Sequence, residues 1–301
     1  MAQSHNKNIS LTQNLNPIID ASKDEYVMKV RNVLKRYKIF SESQKNTHIW
    51  SFTPTHALKE KFEKTRDRSR SRDIPAYLKI NTVSLDDLEE DVKALQQIFI
   101  YRINALLETC VSLLNKNDYL SSAIISRSLV ELCAVGMHHS ALVRSNYKQL
   151  YQDLPTNGLS EMVVDLPYVR EIMEAGIWGT RLPKVLNRGG IKQFHIIDMM
   201  KKVAEKDDYL ESLYEFLCEA THPNAIGNFL FVRTPDNADF MATTLMSISK
   251  KQNGDASAQL VEKTLGAISW SSIAAMGIDE QFQDAFLFKK KIFSNFHKKL
   301  H

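Results

Sequence analysis

The sequence predicts an all-α protein, a helical bundle built on a long antiparallel helix hairpin. Three observations carry that prediction. The 301 residues include only 10 Gly and 8 Pro, below ordinary usage and too few for a turn-rich all-β architecture. Apolar residues recur at steps of three and four through Leu88, Val92, Leu95, Phe99, Ile103, Leu106, Cys110 and Leu113, one stripe along about seven helical turns. The most apolar stretch of the chain, Tyr119 to Val143, follows directly. Only Asn115 to Asp118 separates the two, and a short turn between long helices implies an antiparallel hairpin.

The chain is long enough to bury a core without disulfides or a structural metal. Its three cysteines, Cys110, Cys133 and Cys218, are odd in number, far apart and set among apolar neighbours, the pattern of buried thiols in a reducing compartment. The first residues are polar and Asn-rich, without the apolar run of a signal peptide, so a cytoplasmic location is expected. Tyr119 to Val143 could span a bilayer by length. Arg127 and Glu131 lie near its middle, however, and each would cost roughly 2.5 to 3.5 kcal/mol there. A core helix is the expected reading, and no membrane partner is expected.

Taken in order, residues 1 to 22 read as a polar, flexible arm. Asp24 to Phe40 reads as a short helix with Tyr26, Val30, Val33, Leu34 and Tyr37 on one face. Residues 41 to 80 are loop-like, with Ile49 to Phe52 a candidate extended piece. Lys59 to Asp73 carries seven basic and four acidic residues and repeated Arg-Ser, the composition of a solvated linker. The expected division is therefore an N-terminal region over 1–80 (arm, short helix, basic linker) and a helical bundle domain over 81–301.

Ser84-Leu85-Asp86-Asp87 has the form of a capping box, and acids from Asp86 to Asp91 suit the positive end of a helix dipole, so the long helix is expected to start at Ser84. The second helix is expected from Tyr119 to about Ser145. Beyond it, Pro155, Gly158, Pro167, Pro183 and Gly189-Gly190 cut the chain into short pieces. Short helices are expected at Tyr168 to Ala175 and Ile196 to Ala204. A better-marked helix runs from Asp207 or Asp208 to Thr221, closed by Pro223, and Phe229 to Val232 reads as extended. Asp255 is placed as the cap of a last helix whose stripe Val261, Leu265, Ile268, Ser272 and Ala275 is rich in small residues. Such a face allows close helix packing and suits a homodimer. After Ala285 the chain has five lysines and no acid.

Two constellations stand out chemically. On the second helix, Leu120, Ile124, Arg127, Glu131, Ala134 and His138 share one face, while Ile125, Leu129, Leu132, Cys133 and Gly136 make the opposite face apolar as well. That pattern predicts a helix buried nearly all round, with Arg127 and Glu131 as its only charges between Tyr119 and Val143. Four residues apart, they are close enough to pair. One reading is a structural ion pair fixing helix register, and breaking it would cost about 3 to 5 kcal/mol if it were buried. The other is a polar site in the bundle core. The second constellation is Tyr214, Cys218 and His222 at i, i+4 and i+8, with His222 at the negative pole of its helix. A terminal His usually caps or packs; here Tyr214 on the same face predicts that His222 turns inward.

Ser126-Arg127-Ser128-Leu129-Val130-Glu131, followed by Tyr214-x-x-Leu217-Cys218-x-x-x-His222-Pro223, resembles a group of bacterial helical proteins. Those share an Arg-Ser-Leu-x-Glu helix and a later Tyr-x-x-Leu-Ser-x-x-x-His-Pro segment. The group looks related to the HEPN (higher eukaryotes and prokaryotes nucleotide-binding) superfamily, whose members include toxins and phage-defence ribonucleases. The resemblance spans about residues 85 to 225. Cys218 stands where Ser is common. Arg188 and His195 have the spacing of the superfamily's ribonuclease signature, but Gly189-Gly190 between them reads as loop. The resemblance implies a HEPN-like bundle.

Other chemistries are disfavoured by spacing. Glu131 and His138 lie about 10.5 Å apart along a helix and cannot share a metal unaided. His138 and His139 point about 100° apart. No Walker loop, dinucleotide fingerprint or Gly-x-Ser-x-Gly is present, so no cofactor and no metal are expected. The leading functional expectation is a nucleic-acid-directed effector of the defence or toxin kind, in its sharpest form a metal-independent endoribonuclease. In it His222 moves protons, Arg127 stabilises phosphate charge, and Glu131 and Tyr214 orient them. The basic segments 59–73 and 289–299 would attract RNA or another nucleic acid. The competing expectation is a non-catalytic helical interaction or sensor subunit with a structural Arg-Glu-His cluster.

Overall fold

The computed structural model of the protein describes residues 25–44, 74–153, 172–177, 195–205, 207–222, 228, 231–233, 247–248 and 254–300. The fold class is all-α. The helices are α1 (Glu25–Ser43), α2 (Ile74–Asn115), α3 (Tyr119–Asp153), α4 (172–177), α5 (Ile196–Ala204), α6 (Asp208–Thr221) and α7 (Gly254–Leu300). One two-residue antiparallel pair accompanies them, β1 (Val232–Arg233) with β2 (Ser247–Ile248), in the register Val232 to Ile248. The N-terminal arm, the piece at Ile49 to Phe52, the basic segment 59–73 and Pro223 lie outside the described residues, and Phe229 and Leu230 do too.

The chain forms two compact units. One comprises residues 1–44, 101–134 and 200–275, the other 45–100, 135–199 and 276–301. The long helices α2, α3 and α7 each contribute a stretch to both.

In the first unit, α1 buries Val30, Leu34 and Tyr37, three of the five positions expected on its inner face. The Tyr37 hydroxyl donates to the Asn104 side-chain oxygen on α2, and burial pushes the Tyr37 pKa far above its ordinary value. The α2–α3 turn places Asn117 in the left-handed region, φ 59°, which Asn tolerates better than most residues. Asp118 then starts α3, its carboxylate accepting from the Ser121 N–H at 3.2 Å. The Ser122 hydroxyl donates to the Cys110 carbonyl at 3.1 Å, and Cys110 Sγ lies 3.4 Å from Ser126 Oγ. These contacts run the helix ends side by side in opposite directions. The small residues of α7 pack inside this unit. Ala267, Ser271, Ser272 and Ala275 are buried, and the Cys133 thiol donates to the Ser271 carbonyl at 3.7 Å. The face that suited a homodimer is thus already occupied within the chain.

In the second unit, Leu88, Val92, Leu95 and Phe99 of α2 pack in a core with Val143 and Tyr147 of α3 and Phe282 of α7 all buried. Gly136 permits a close approach: a Cβ there would lie 2.6 Å from Ile278 Cδ1 and 3.3 Å from Phe99 Cδ1, so both side chains would have to give way. Lys289, expected among the phosphate-attracting lysines, is instead buried and paired with Glu89.

Five local expectations are corrected. Helix α2 begins at Ile74, so Ser84 is an interior residue and not a cap; Pro75 falls in the first turn, where a missing N–H forfeits no helical bond. The buried stripe of α2 moves from Ile103 to Leu107, Cys110, Val111 and Leu114, because steps averaging 3.6 residues drift off a fixed three-four pattern. Helix α3 runs on to Asp153, and α7 starts at Gly254, which puts Asp255 inside its first turn. Most consequentially, α3 is not buried all round: Ile124 is 42% exposed and Ser128 is exposed. By length and composition, α2 from Leu88 and α3 as far as Gln152 are apolar enough to cross a membrane, and half of α3's most apolar window is buried against protein here.

Candidate functional site

The site lies in the first unit, where α3 meets α6. Helix α6 is positioned by its start. The Asp207 carboxylate accepts from the Leu210 N–H at 3.3 Å and from the Trp270 indole N–H at 3.0 Å, tying the helix to α7. Leu210, Leu213, Leu217 and Ala220 bury its inner face. Tyr214, Cys218 and Thr221, one step round the helix at i, i+4 and i+7, therefore flank that face and are half-buried.

On α3, Arg127 and Glu131 pair as their spacing predicts, Nε to Oε1 at 3.1 Å. The same Glu131 oxygen accepts from the Tyr214 hydroxyl at 2.9 Å. Arg127 Nη1 donates to Thr221 Oγ1 at 2.9 Å, and the guanidinium carbon lies 5.9 Å from the Tyr214 ring centre. Three of the four sequence-selected residues, Arg127, Glu131 and Tyr214, thus share one hydrogen-bond network. The Arg127 and Glu131 side chains keep 28% and 22% of their surface exposed. The pair stands at the rim of the unit, because the α3 face carrying Ile124 and Ser128 opens to solvent.

Electrostatics set the protonation states. Partial burial would lower the Arg127 pKa, but Cys218, Glu131 and Tyr214 outweigh it and raise the value, so the guanidinium stays charged. Burial, then the hydrogen bond and charge of Glu131, push the Tyr214 phenol well above its ordinary range. Tyr214 is accordingly a proton donor to Glu131 and not a base near neutral pH.

His222 is placed differently. It caps α6 with extended backbone (φ −82°, ψ 159°), and its N–H donates to the Cys218 carbonyl at 3.0 Å. The residue is exposed, and among the described residues its ring makes no hydrogen bond or ion pair. The expected inward turn is corrected: the i, i+4, i+8 rule holds only while the backbone is helical, and at the cap it is extended. The ring stands beside Thr221 in sequence, at the solvent edge.

Thr221 itself escaped the sequence reading. Its signal was available, since it continues the Tyr214–Cys218 stripe by three residues. Cys218 also differs from expectation, being half-exposed while Cys110 and Cys133 are buried; burial pushes those two thiols up to about 12. The second unit holds two polar pairs that the reading missed. Gln96 donates to Asp279 at 2.5 Å, and Ser140 donates to Gln281 at 2.9 Å. His139 is 2% exposed, with Nδ1 2.9 Å from the Val135 carbonyl, which makes Nδ1 the protonated nitrogen of the neutral ring. Among the described residues no group of three His, Cys, Asp or Glu side chains is arranged to hold a metal ion.

Comparison of the chain with known protein families, with curated proteins and with solved structures finds no match in any of the three.

Proposed function

We propose that the protein is an RNA-directed effector of the defence or toxin kind, related to the HEPN superfamily, that cleaves phosphodiesters without a metal. One observation carries the reading: a charged, part-exposed guanidinium, Arg127, is held by Glu131 and by Thr221, the residue that precedes an exposed histidine at the helix end. A fixed cation is suited to the negative charge that grows on a phosphate in the transition state. An imidazole at the solvent edge is suited to moving a proton at the 2′-hydroxyl or the leaving oxygen. Glu131 orients the guanidinium, and Tyr214 in turn holds the Glu131 carboxylate. With Lys289 engaged by Glu89, the exposed Lys290 and Lys291 carry the α7 share of phosphate attraction.

The test uses the full chain and single-stranded RNA in EDTA. Cleavage leaving 2′,3′-cyclic phosphate ends is expected, with loss in His222→Ala and in Arg127→Met. A requirement for a divalent ion, or full cleavage by His222→Ala, overturns the mechanism.

A second reading has its own support. Arg127 Nε and Nη1 and the Tyr214 hydroxyl all find partners inside the network, as they would in a clamp that only joins α3 to α6. Under that reading the protein is an interaction or sensor subunit. Glu131→Gln then weakens partner binding and thermal stability together, with no RNA chemistry to lose.

A further inference from the structure

We infer that Thr221 is a positioning residue that fixes the Arg127 guanidinium relative to His222. The inference deepens the ribonuclease proposal and, for its functional part, rests on it.

A threonine hydroxyl has one proton and two acceptor lone pairs. At Thr221 the proton is engaged by the Cys218 carbonyl, 3.0 Å away. The lone pairs are therefore what face outward, and one of them receives Arg127 Nη1 at 2.9 Å. Direction is set by this division: the hydroxyl meets the guanidinium only as an acceptor, so the contact is a hydrogen bond to a charged donor, the stronger kind.

The Cys218 carbonyl accepts a second bond, from the His222 N–H at 3.0 Å. A chain of groups thus runs from the Arg127 guanidinium through the Thr221 hydroxyl and the Cys218 carbonyl to the His222 backbone. Arg127 lies on α3 and His222 caps α6, and this chain of bonds ties the guanidinium to the His222 backbone. Glu131 holds the guanidinium at Nε, and Thr221 holds it at Nη1. Two anchors on different nitrogens stop rotation of the planar group, whereas either alone leaves it free to swing. Precise placement of a cation against a reacting phosphate is worth orders of magnitude in rate.

Thr221→Val keeps the shape and removes the hydroxyl, and Thr221→Ser keeps the hydroxyl and removes the methyl. Thr221→Ala gives the same comparison if valine does not pack. Two readouts are needed. In side-chain NMR of the guanidinium N–H groups, identified by their loss in Arg127→Lys, rotation of the group should quicken by about ten-fold or more in Thr221→Val, as expected for a lost bond to a charged group. It should stay within roughly two-fold of the parent in Thr221→Ser. In RNA cleavage with EDTA, Thr221→Val should lower kcat by about 10- to 100-fold in a protein that remains folded at the assay temperature, and Thr221→Ser should restore it.

Unchanged guanidinium rotation in Thr221→Val overturns the positioning role whatever the activity. Full cleavage by Thr221→Val alongside a dead Arg127→Met overturns it as a determinant of rate. A serine variant as impaired as valine assigns the effect to methyl packing and overturns it too. Faster rotation in Thr221→Val, in a protein whose parent cleaves no RNA, supports the positioning role and sinks the ribonuclease proposal instead.

Discussion

The two units each contain an ion pair, and the pairs differ in what surrounds them. Arg127–Glu131 sits at a rim with 28% and 22% of its side chains exposed, whereas Lys289 keeps only 8% exposed beside Glu89 at 23%. Burial would raise the Glu89 pKa, yet hydrogen bonds from Lys289 and Lys93 outweigh it and lower the value. The first pair is formed within one helix by local spacing. The second joins residues 200 positions apart. Exposure decides their roles: a part-exposed pair is cheap to break and available to a ligand, while taking a carboxylate away from a buried ammonium is costly.

Four measurements sharpen or break this contrast. The largest effect belongs to Glu89→Ala, which takes a carboxylate from the buried Lys289 ammonium and from Lys93; a loss of about 3 to 5 kcal/mol in denaturant unfolding is expected. A loss no larger than a surface pair's, about 1 kcal/mol or less, would erase the contrast.

The next is a pH effect from His139. Burial, only partly offset by the Val135 carbonyl, lowers its pKa to about 4 from an ordinary 6.5. Between those values the unfolded chain binds the proton more readily than the folded one, so stability falls as pH drops from 6.5 toward 4, by up to roughly 3 kcal/mol. Glu89, with its lowered pKa, loses its contribution in a more acidic window, as pH falls below its unfolded value. Urea titrations across pH should show both steps, and His139→Asn should flatten the first. A His139→Asn slope equal to the parent's assigns the effect elsewhere.

Tyr214→Phe removes the phenol donor to Glu131 and should lower stability by about 0.5 to 1.5 kcal/mol. If melting is unchanged and α6 stays docked, the network does not help join the helices. The smallest stability change is expected for Arg127→Met, within about 1 kcal/mol by calorimetry, because Glu131 retains Tyr214 and solvent. Under the ribonuclease proposal, RNA cleavage should by contrast drop by about 100-fold or more. A destabilisation of several kcal/mol would show that the rim pair behaves as a core pair after all.

Much of the architecture was legible because it is written in local spacing. The three-four periodicity of α2, the Asn-containing turn, the bounds of α5 and the start of α6 at Asp207 or Asp208 depend on residues within a turn or two of each other. The same is true of the Arg127–Glu131 pair. Where the reading erred, the missing information was environmental. An apolar sequence on both sides of α3 says nothing of whether a neighbour covers each side, and among the described residues Ile124 stays 42% exposed. Periodicity carried His222 inward on the assumption that the helix continues, and the cap ends it one residue too soon.

By itself the sequence determined the helical class, the hairpin and which side chains share a helix face, since i, i+4 geometry follows from the backbone alone. Only the tertiary structure decided which faces meet. Tyr214 reaches Glu131 across 83 residues and Thr221 reaches Arg127 across 94, and Lys289 turns from solvent toward Glu89. Such pairings depend on how helices dock and on how much water remains at each contact, and no local pattern encodes either one.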